Sequence, residues 1–133
     1  MTPEQKDLLF KDLCARLPYG VKYIRDSWNF ESDQEMSVIE TLDYIDKDGY
    51  ISHIKVYKVE DIKPCLFPIS SMTEEQMKEA LSTKHKINLP SGKVMYLDSL
   101  NTYEFYDKNH IDYRGGGLIP LGLARDATNL NIY

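Results

Sequence analysis

Residues 36–58 read MSVIETLDYIDKDGYISHIKVYK. Two runs rich in β-branched and aromatic residues, Met36–Ile45 and Tyr50–Lys58, flank Asp46-Lys47-Asp48-Gly49. Such runs suit a pleated surface, and Asp-Gly between them supplies the chemistry of a tight hairpin turn. The stretch therefore reads as a β-hairpin, which makes the sheet antiparallel. Upstream, Val21–Ser27 (VKYIRDS) also has strand character, and the polar loop NFESDQE separates it from Met36. The three runs predict a three-stranded antiparallel β-meander.

Helices are expected on both sides of it. Thr2-Pro3-Glu4-Gln5 opens the first, with Thr2 as the cap, Pro3 at the first helical position and Gln5 closing a capping box. Leu9, Phe10, Leu13, Cys14 and Leu17 recur at helical spacing, and Pro18 and Gly20 end the run. Val59–Ile69 contains Pro64 and Pro68, which cannot donate to a ladder, so it reads as an irregular connector or at best an edge. Thr73 caps a second helix that runs to about Thr83, with Gln76 closing its capping box. His85–Lys93, with Pro90 and Gly92, reads as a loop. A third helix is expected over Asp98–Asn109, its face formed by Leu97, Leu100, Tyr103 and Tyr106 and widened by Phe105. A chain of 133 residues has room for one hydrophobic core. The expectation is a single α+β domain over 1–133, the meander packed by an N-terminal helix and two later helices.

Composition narrows the function classes. An aromatic fraction of 11% within a hydrophobic fraction of 42% is too much apolar mass for a solvated coil. A net charge of −5 argues against broad, non-specific nucleic-acid binding, which needs clustered Lys and Arg. The opening residues MTPEQKDLLFKDL show no basic segment followed by an apolar one, and no run is long enough to span a membrane. A cytoplasmic protein without membrane association is expected, with Cys14 and Cys65 as free thiols in a reducing compartment.

The motifs of catalysis and metal binding do not assemble. Asp43–Gly49 invites comparison with a calcium loop. Placing Asp46, Asp48 and Gly49 at loop positions three, five and six, however, puts Tyr44 at position one and Lys55 at position twelve, where carboxylates are required. Cys14, Cys65, His53, His85 and His110 show none of the spacings of a metal site. No G-x-S-x-G is present, and nothing pairs either cysteine with a histidine. Glu40, in a strand otherwise rich in Val, Ile and Leu, needs a partner or a shifted pKa if its face is buried. No cofactor and no catalytic residue is expected.

Two features near the C-terminus carry functional interest. Tyr96, Tyr103, Phe105, Tyr106 and Tyr113 lie close in sequence to Lys108, His110 and Arg114, a mixture that can stack and neutralise single-stranded nucleic acid. Asp98, Glu104, Asp107 and Asp112 in the same stretch offset the basic charge, so core packing and a protein-interaction surface compete with that reading. The glycines Gly115-Gly116-Gly117 lack the Lys-Ser/Thr of a phosphate loop and the βαβ setting of a dinucleotide site. They read as a chain reversal, with an anion nest beside Arg114 as the alternative. Candidate interaction or anion-binding residues are Tyr106, Lys108, Tyr113, Arg114, Gly115 and Gly116.

Three blocks, ARLPYGVK (15–22), IKPCLFPISSMTEEQ (62–76) and NHIDYRGGGLIPLGLA (109–124), support a resemblance, together with the hairpin between the first two. The chain resembles a family of small uncharacterised proteins encoded by phages and mobile elements of gut Bacteroidales. The likeness spans nearly the whole chain in the same order. It implies an origin and a single compact domain, and it brings no catalytic residue to carry over. The expected function is a non-catalytic protein-interaction or accessory factor with a protein partner. The alternative is a nucleic-acid-associated accessory protein using Lys108, Arg114 and Tyr113.

Overall fold

A computed structural model describes residues 1–133, with the side chain of Trp28 outside the description. Three α-helices accompany seven strands in an α+β arrangement. In chain order these are α1 (Pro3–Arg16), β1 (Lys22–Asn29), β2 (Gln34–Thr41), β3 (Lys63–Pro68), α2 (Glu74–Ser82), β4 (His85–Asn88), β5 (Val94–Leu97), α3 (Leu100–Lys108), β6 (Ile111–Asp112) and β7 (Arg125–Asp126). All three helices begin with the capping chemistry of their sequences. Thr2, Thr73 and Ser99 each accept from the backbone N–H three residues on, each within a reciprocal capping box.

The main sheet is mixed and five-stranded rather than a three-stranded meander. Its order is β2-β1-β3-β6, with β7 also pairing β3. The hairpin that forms joins β1 to β2, in register from Lys22 opposite Thr41 to Asn29 opposite Gln34. β1 pairs antiparallel with β3, whereas β3 is parallel to both β6 and β7.

The hairpin expected around Gly49 is only a turn. The Asp46 carboxylate accepts from the backbone N–H groups of Asp48 and Tyr50, each at 3.0 Å, so the turn closes on a side chain. Beyond it, residues 50–58 do not run back along β2. Lys55 adopts a positive φ of 55°, and one isolated bridge, Tyr50 with Lys58, is all the pairing that remains. Ile54 and Val56 consequently face solvent, while Ile51 and Val59 reach the core.

The place beside β1 is taken by β3, the segment whose prolines suggested a connector. The two prolines bracket Cys65, Leu66 and Phe67, and each ladder on β3 is two residues long. Phe67 N–H donates to the His110 carbonyl, and the Leu66 carbonyl accepts from Ala127 N–H, both at 2.8 Å. Proline is tolerated because no ladder continues through it. Residues 85–93, expected as a loop, form instead the first strand and turn of a separate hairpin. His85 lies opposite Leu97 and Asn88 opposite Val94, with Gly92 in the turn at φ 84°.

The main core gathers Leu9 and Leu13 of α1, Val21, Tyr23, Leu42, Ile51, Val59, Ile62, Leu66, and the tail residues Leu118, Leu123 and Ala124. A second cluster joins Ala80, Phe105, Tyr106 and Ile111. The C-terminal tail is docked: Lys22 N–H donates to the Tyr133 hydroxyl, which donates to the Cys65 carbonyl. The two cysteines are free, Cys14 exposed and Cys65 buried.

Candidate functional site

Helix α1 buries the expected Leu9 and Leu13, packs Phe10 and Leu17 beside them, and adds Asp12 and Arg16 to the inward stripe. Leu9, Asp12, Leu13 and Arg16 face inward, at spacings of three, four and seven, and Cys14 points to solvent. Asp12 and Arg16 are an i,i+4 ion pair with both side chains 0% exposed, Arg16 Nε donating to Asp12 Oδ2 at 2.9 Å. A charged pair is stable there because other segments complete it. Arg16 Nη2 donates to the Ile111 carbonyl of β6, and Arg114 Nη1 donates to Asp12 Oδ1. Arg114 Nη2 also reaches Asp107 of α3 at 3.3 Å. The cluster holds two guanidiniums and two carboxylates and ties α1, α3, β6 and the 114–116 turn together.

Tyr113 closes the cluster. Its hydroxyl accepts from Arg114 Nη2 and donates to Asp107 Oδ1 at 3.1 Å. The Arg114 guanidinium lies over its ring, 4.8 Å from the centroid. Burial, together with Asp107, pushes the Tyr113 hydroxyl well above the ordinary tyrosine range, against the opposing charge of Arg114. Tyr103 stacks on Tyr113 at 5.5 Å, and Tyr106 tilts against it at 5.0 Å.

On the outer side of these rings is an open cleft of about 510 Å³, lined by Ile69, Asp98, Tyr103, Tyr106, Asp107, Tyr113, Arg114 and Gly115. Four candidate residues, Tyr106, Tyr113, Arg114 and Gly115, meet there. Lys108, exposed in the last turn of α3, and Gly116 stand outside the lining. Asp12, Arg16 and Asp107 were not among the candidates, although the 9-12-13-16 spacing and the opposite charges at i,i+4 were available in the sequence. The arrangement presents stacked aromatic surface and a guanidinium already committed to two carboxylates.

A nest forms just after the glycines, on the amides of Leu118 and Ile119 and not at Gly115 and Gly116, and the anion in it is the chain's own. The Asp112 carboxylate accepts from Leu118 N–H at 2.7 Å and from Ile119 N–H at 2.9 Å. Gly117 makes this possible. Its φ is 106°, and a Cβ there would meet Asp112 Oδ2 and Pro120 Cδ, both at 3.1 Å. The chain reversal seats Leu118, fully buried, in the main core. α3 ends at Lys108, capped by Asn109 where its end was expected, and β6 intervenes before the glycines.

Glu40 has its partners. It accepts from the buried Tyr23 hydroxyl and from Arg25 Nη2, both at 2.7 Å, and these bonds, Tyr23's first, hold its carboxyl below the usual range.

His110, between α3 and β6, stacks on Tyr133 at 3.9 Å. Burial, aided by the charges of Arg16 and Lys22, pushes its pKa down to about 4. The unfolded chain therefore binds a proton that the folded chain refuses. Stability contributed by neutral His110 is present above pH 6.5 and is lost as pH falls from there towards 4, by on the order of 2 kcal/mol. Urea unfolding across that window is expected to show a smaller decline for His110→Asn, a residue that tolerates the positive φ of 59°. An unchanged decline would place the effect elsewhere.

Among the described residues, no group of three or more His, Cys, Asp or Glu side chains is placed to hold a metal ion. No helix is long and apolar enough to cross a membrane. The β4–β5 hairpin forms a separate surface next to the cleft, since Asp98, the residue after β5, lines it. None of its side chains belongs to either core cluster. In comparisons with known proteins, no family model, no curated protein and no solved structure matches this chain.

Proposed function

We propose that the chain is a non-catalytic protein-interaction factor, an accessory of a phage or mobile element, that engages its partner through the β4–β5 hairpin. One observation carries the reading. Val94, Met95, Tyr96 and Leu97, the whole of β5, are each 41–46% exposed, in a hairpin that adds nothing to the core. A two-stranded hairpin by itself is marginal in water, and apolar side chains exposed on both its faces are surface that a partner covers. The ionic groups of the neighbouring cleft satisfy one another, which favours a binding role over acid–base chemistry. The likeness of the LPYGVK, IKPCLFPISSMTEEQ and DYRGGG blocks to phage and mobile-element proteins supports the origin.

The test is a pull-down from the native host with tagged chain. A stoichiometric protein is expected with the native sequence and is lost with Met95→Glu/Leu97→Glu. Unfolding of that variant should be unchanged, since neither side chain packs in a core. Recovery of the same protein by both chains, or of none by either, defeats the reading.

A further inference from the structure

Resting on that reading, we infer that the partner contributes an extended segment, acidic residues alternating with apolar ones, which adds to β5 as a third strand. Three observations converge on β5. The first is an open edge. β4 and β5 form their own two-stranded sheet, and β5 pairs with β4 alone among the described residues. Its outer side therefore presents the unpaired backbone N–H and C=O groups that template a further strand.

The second is charge. The chain carries 21 acidic and 16 basic residues, yet residues 83–97 hold Lys84, Lys86 and Lys93 and no acid. Lys84 is paired with Asp98 at 3.2 Å. Lys86 and Lys93 are exposed and make no ion pair among the described residues. On a body that repels acidic segments, the hairpin is the place that attracts one, and complementary charge selects orientation and partner.

The third is the pattern of the strand. Tyr96 lies opposite Lys86 and Val94 opposite Asn88 on one face, while Met95 lies opposite Ile87 and Leu97 opposite His85 on the other. A strand laid along β5 finds apolar side chains on both faces, with Lys86 one strand further in, on β4 opposite Tyr96, and Lys93 at the turn end. The exposed atoms of β5 come from Val, Met and Leu, with Tyr96 as its one aromatic. That composition favours a peptide over stacked bases, which need a platform of aromatics.

The test uses fluorescein-labelled, acetylated peptides titrated into the full chain at low salt and followed by anisotropy. One alternates Glu with Val. A second replaces each Glu with Lys, and a third carries N-methyl groups at alternate amides, which blocks edge pairing. A labelled single-stranded DNA oligonucleotide is the fourth probe. Saturable binding is expected for the Glu peptide and is about tenfold weaker for the Lys and N-methyl peptides and for the DNA. Lys86→Glu/Lys93→Glu should reverse the Glu-over-Lys preference. No binding of the Glu peptide, equal binding of the N-methyl peptide, or tighter binding of the Lys peptide or DNA overturns the inference. If the host partner is lost with Met95→Glu/Leu97→Glu while the Glu peptide fails, the inference falls and the interaction reading stands. If the host partner is indifferent to that substitution, the interaction reading itself falls.

Discussion

Asp12→Ala is expected to remove about 3–5 kcal/mol of stability, a large share of the roughly 7–20 kcal/mol that a domain this size has. Asp12 is 0% exposed, and each of its oxygens is bonded to a different guanidinium, Oδ2 to Arg16 and Oδ1 to Arg114. Removing it leaves two positive charges with Asp107 as their remaining carboxylate, 3.9 Å from Arg16 Nε and 3.3 Å from Arg114 Nη2. Arg16 cannot reach water to compensate, because its side chain is 0% exposed and its Nη1 is already without a partner. Asp12→Asn keeps the shape and one acceptor, so a smaller loss is expected. Urea unfolding monitored by far-UV circular dichroism measures both. A loss below about 1 kcal/mol for the alanine variant, the range of a surface pair, would mean that the cluster is hydrated in solution.

Asp112→Ala is expected to cost about 2–4 kcal/mol. The carboxylate is 5% exposed and accepts from two backbone N–H groups, of which Leu118's is buried. Hydrogen bonds to a charged group contribute more than neutral ones, and two orphaned amides carry their full desolvation penalty. Asp112→Asn retains a single carbonyl acceptor and is expected to lose roughly half as much. Gly117→Ala tests the same turn from the backbone side and should also destabilise, by forcing a side chain into the space of Asp112 Oδ2 at a φ of 106°. Chemical unfolding measures all three. Wild-type stability in Asp112→Ala would show that Leu118 and Ile119 find other acceptors, and the account of the turn would fail.

Both features show what the sequence made legible and what it hid. Local rules worked where they act within one segment. The three helices, the caps Thr2 and Thr73, the first strand and the chain reversal at the glycines follow from residues a few positions apart. The failures involve competition between distant segments. Asp46–Gly49 carries genuine turn chemistry, but the strand beside β1 is chosen by what else can fill the core. Leu66 and Cys65, both 0% exposed, fill it better than Ile54 or Val56, and Pro64 and Pro68 fall where no ladder needs their N–H. The hairpin at 85–97 was concealed by Pro90 and Gly92, which form its turn.

The candidate site was half legible for the same reason. Tyr106, Tyr113, Arg114 and Gly115 are close in sequence and meet in one cleft. Their partner Asp12 lies 102 residues from Arg114, and only the fold brings the two together. On α1 the inward stripe keeps Leu9 and Leu13 and widens to Asp12 and Arg16, because a pair of opposite charges, once neutralised by α3 and the 114–116 turn, can be buried. Thr102 does the same on α3. Fully buried, it accepts from Thr83 Oγ1 at 2.9 Å, while Leu100, the more apolar choice, is left 84% exposed. The nest that forms is not the one expected beside Arg114: its amides belong to Leu118 and Ile119, not to Gly115 and Gly116. Its occupant, Asp112, sits three residues before the glycines and satisfies the amides from within.

On the proposed reading, the β4–β5 hairpin is an incomplete element, stable only in part until another chain covers it. Amide hydrogen exchange of the free protein tests this most directly. Amides in Lys86–Leu97 are expected to exchange through local opening, at a free energy well below that of global unfolding, while those of β1 and β3 exchange only with global unfolding. Protection of the hairpin amides equal to that of β1 would contradict it, because a hairpin already as stable as the core has no need of a partner.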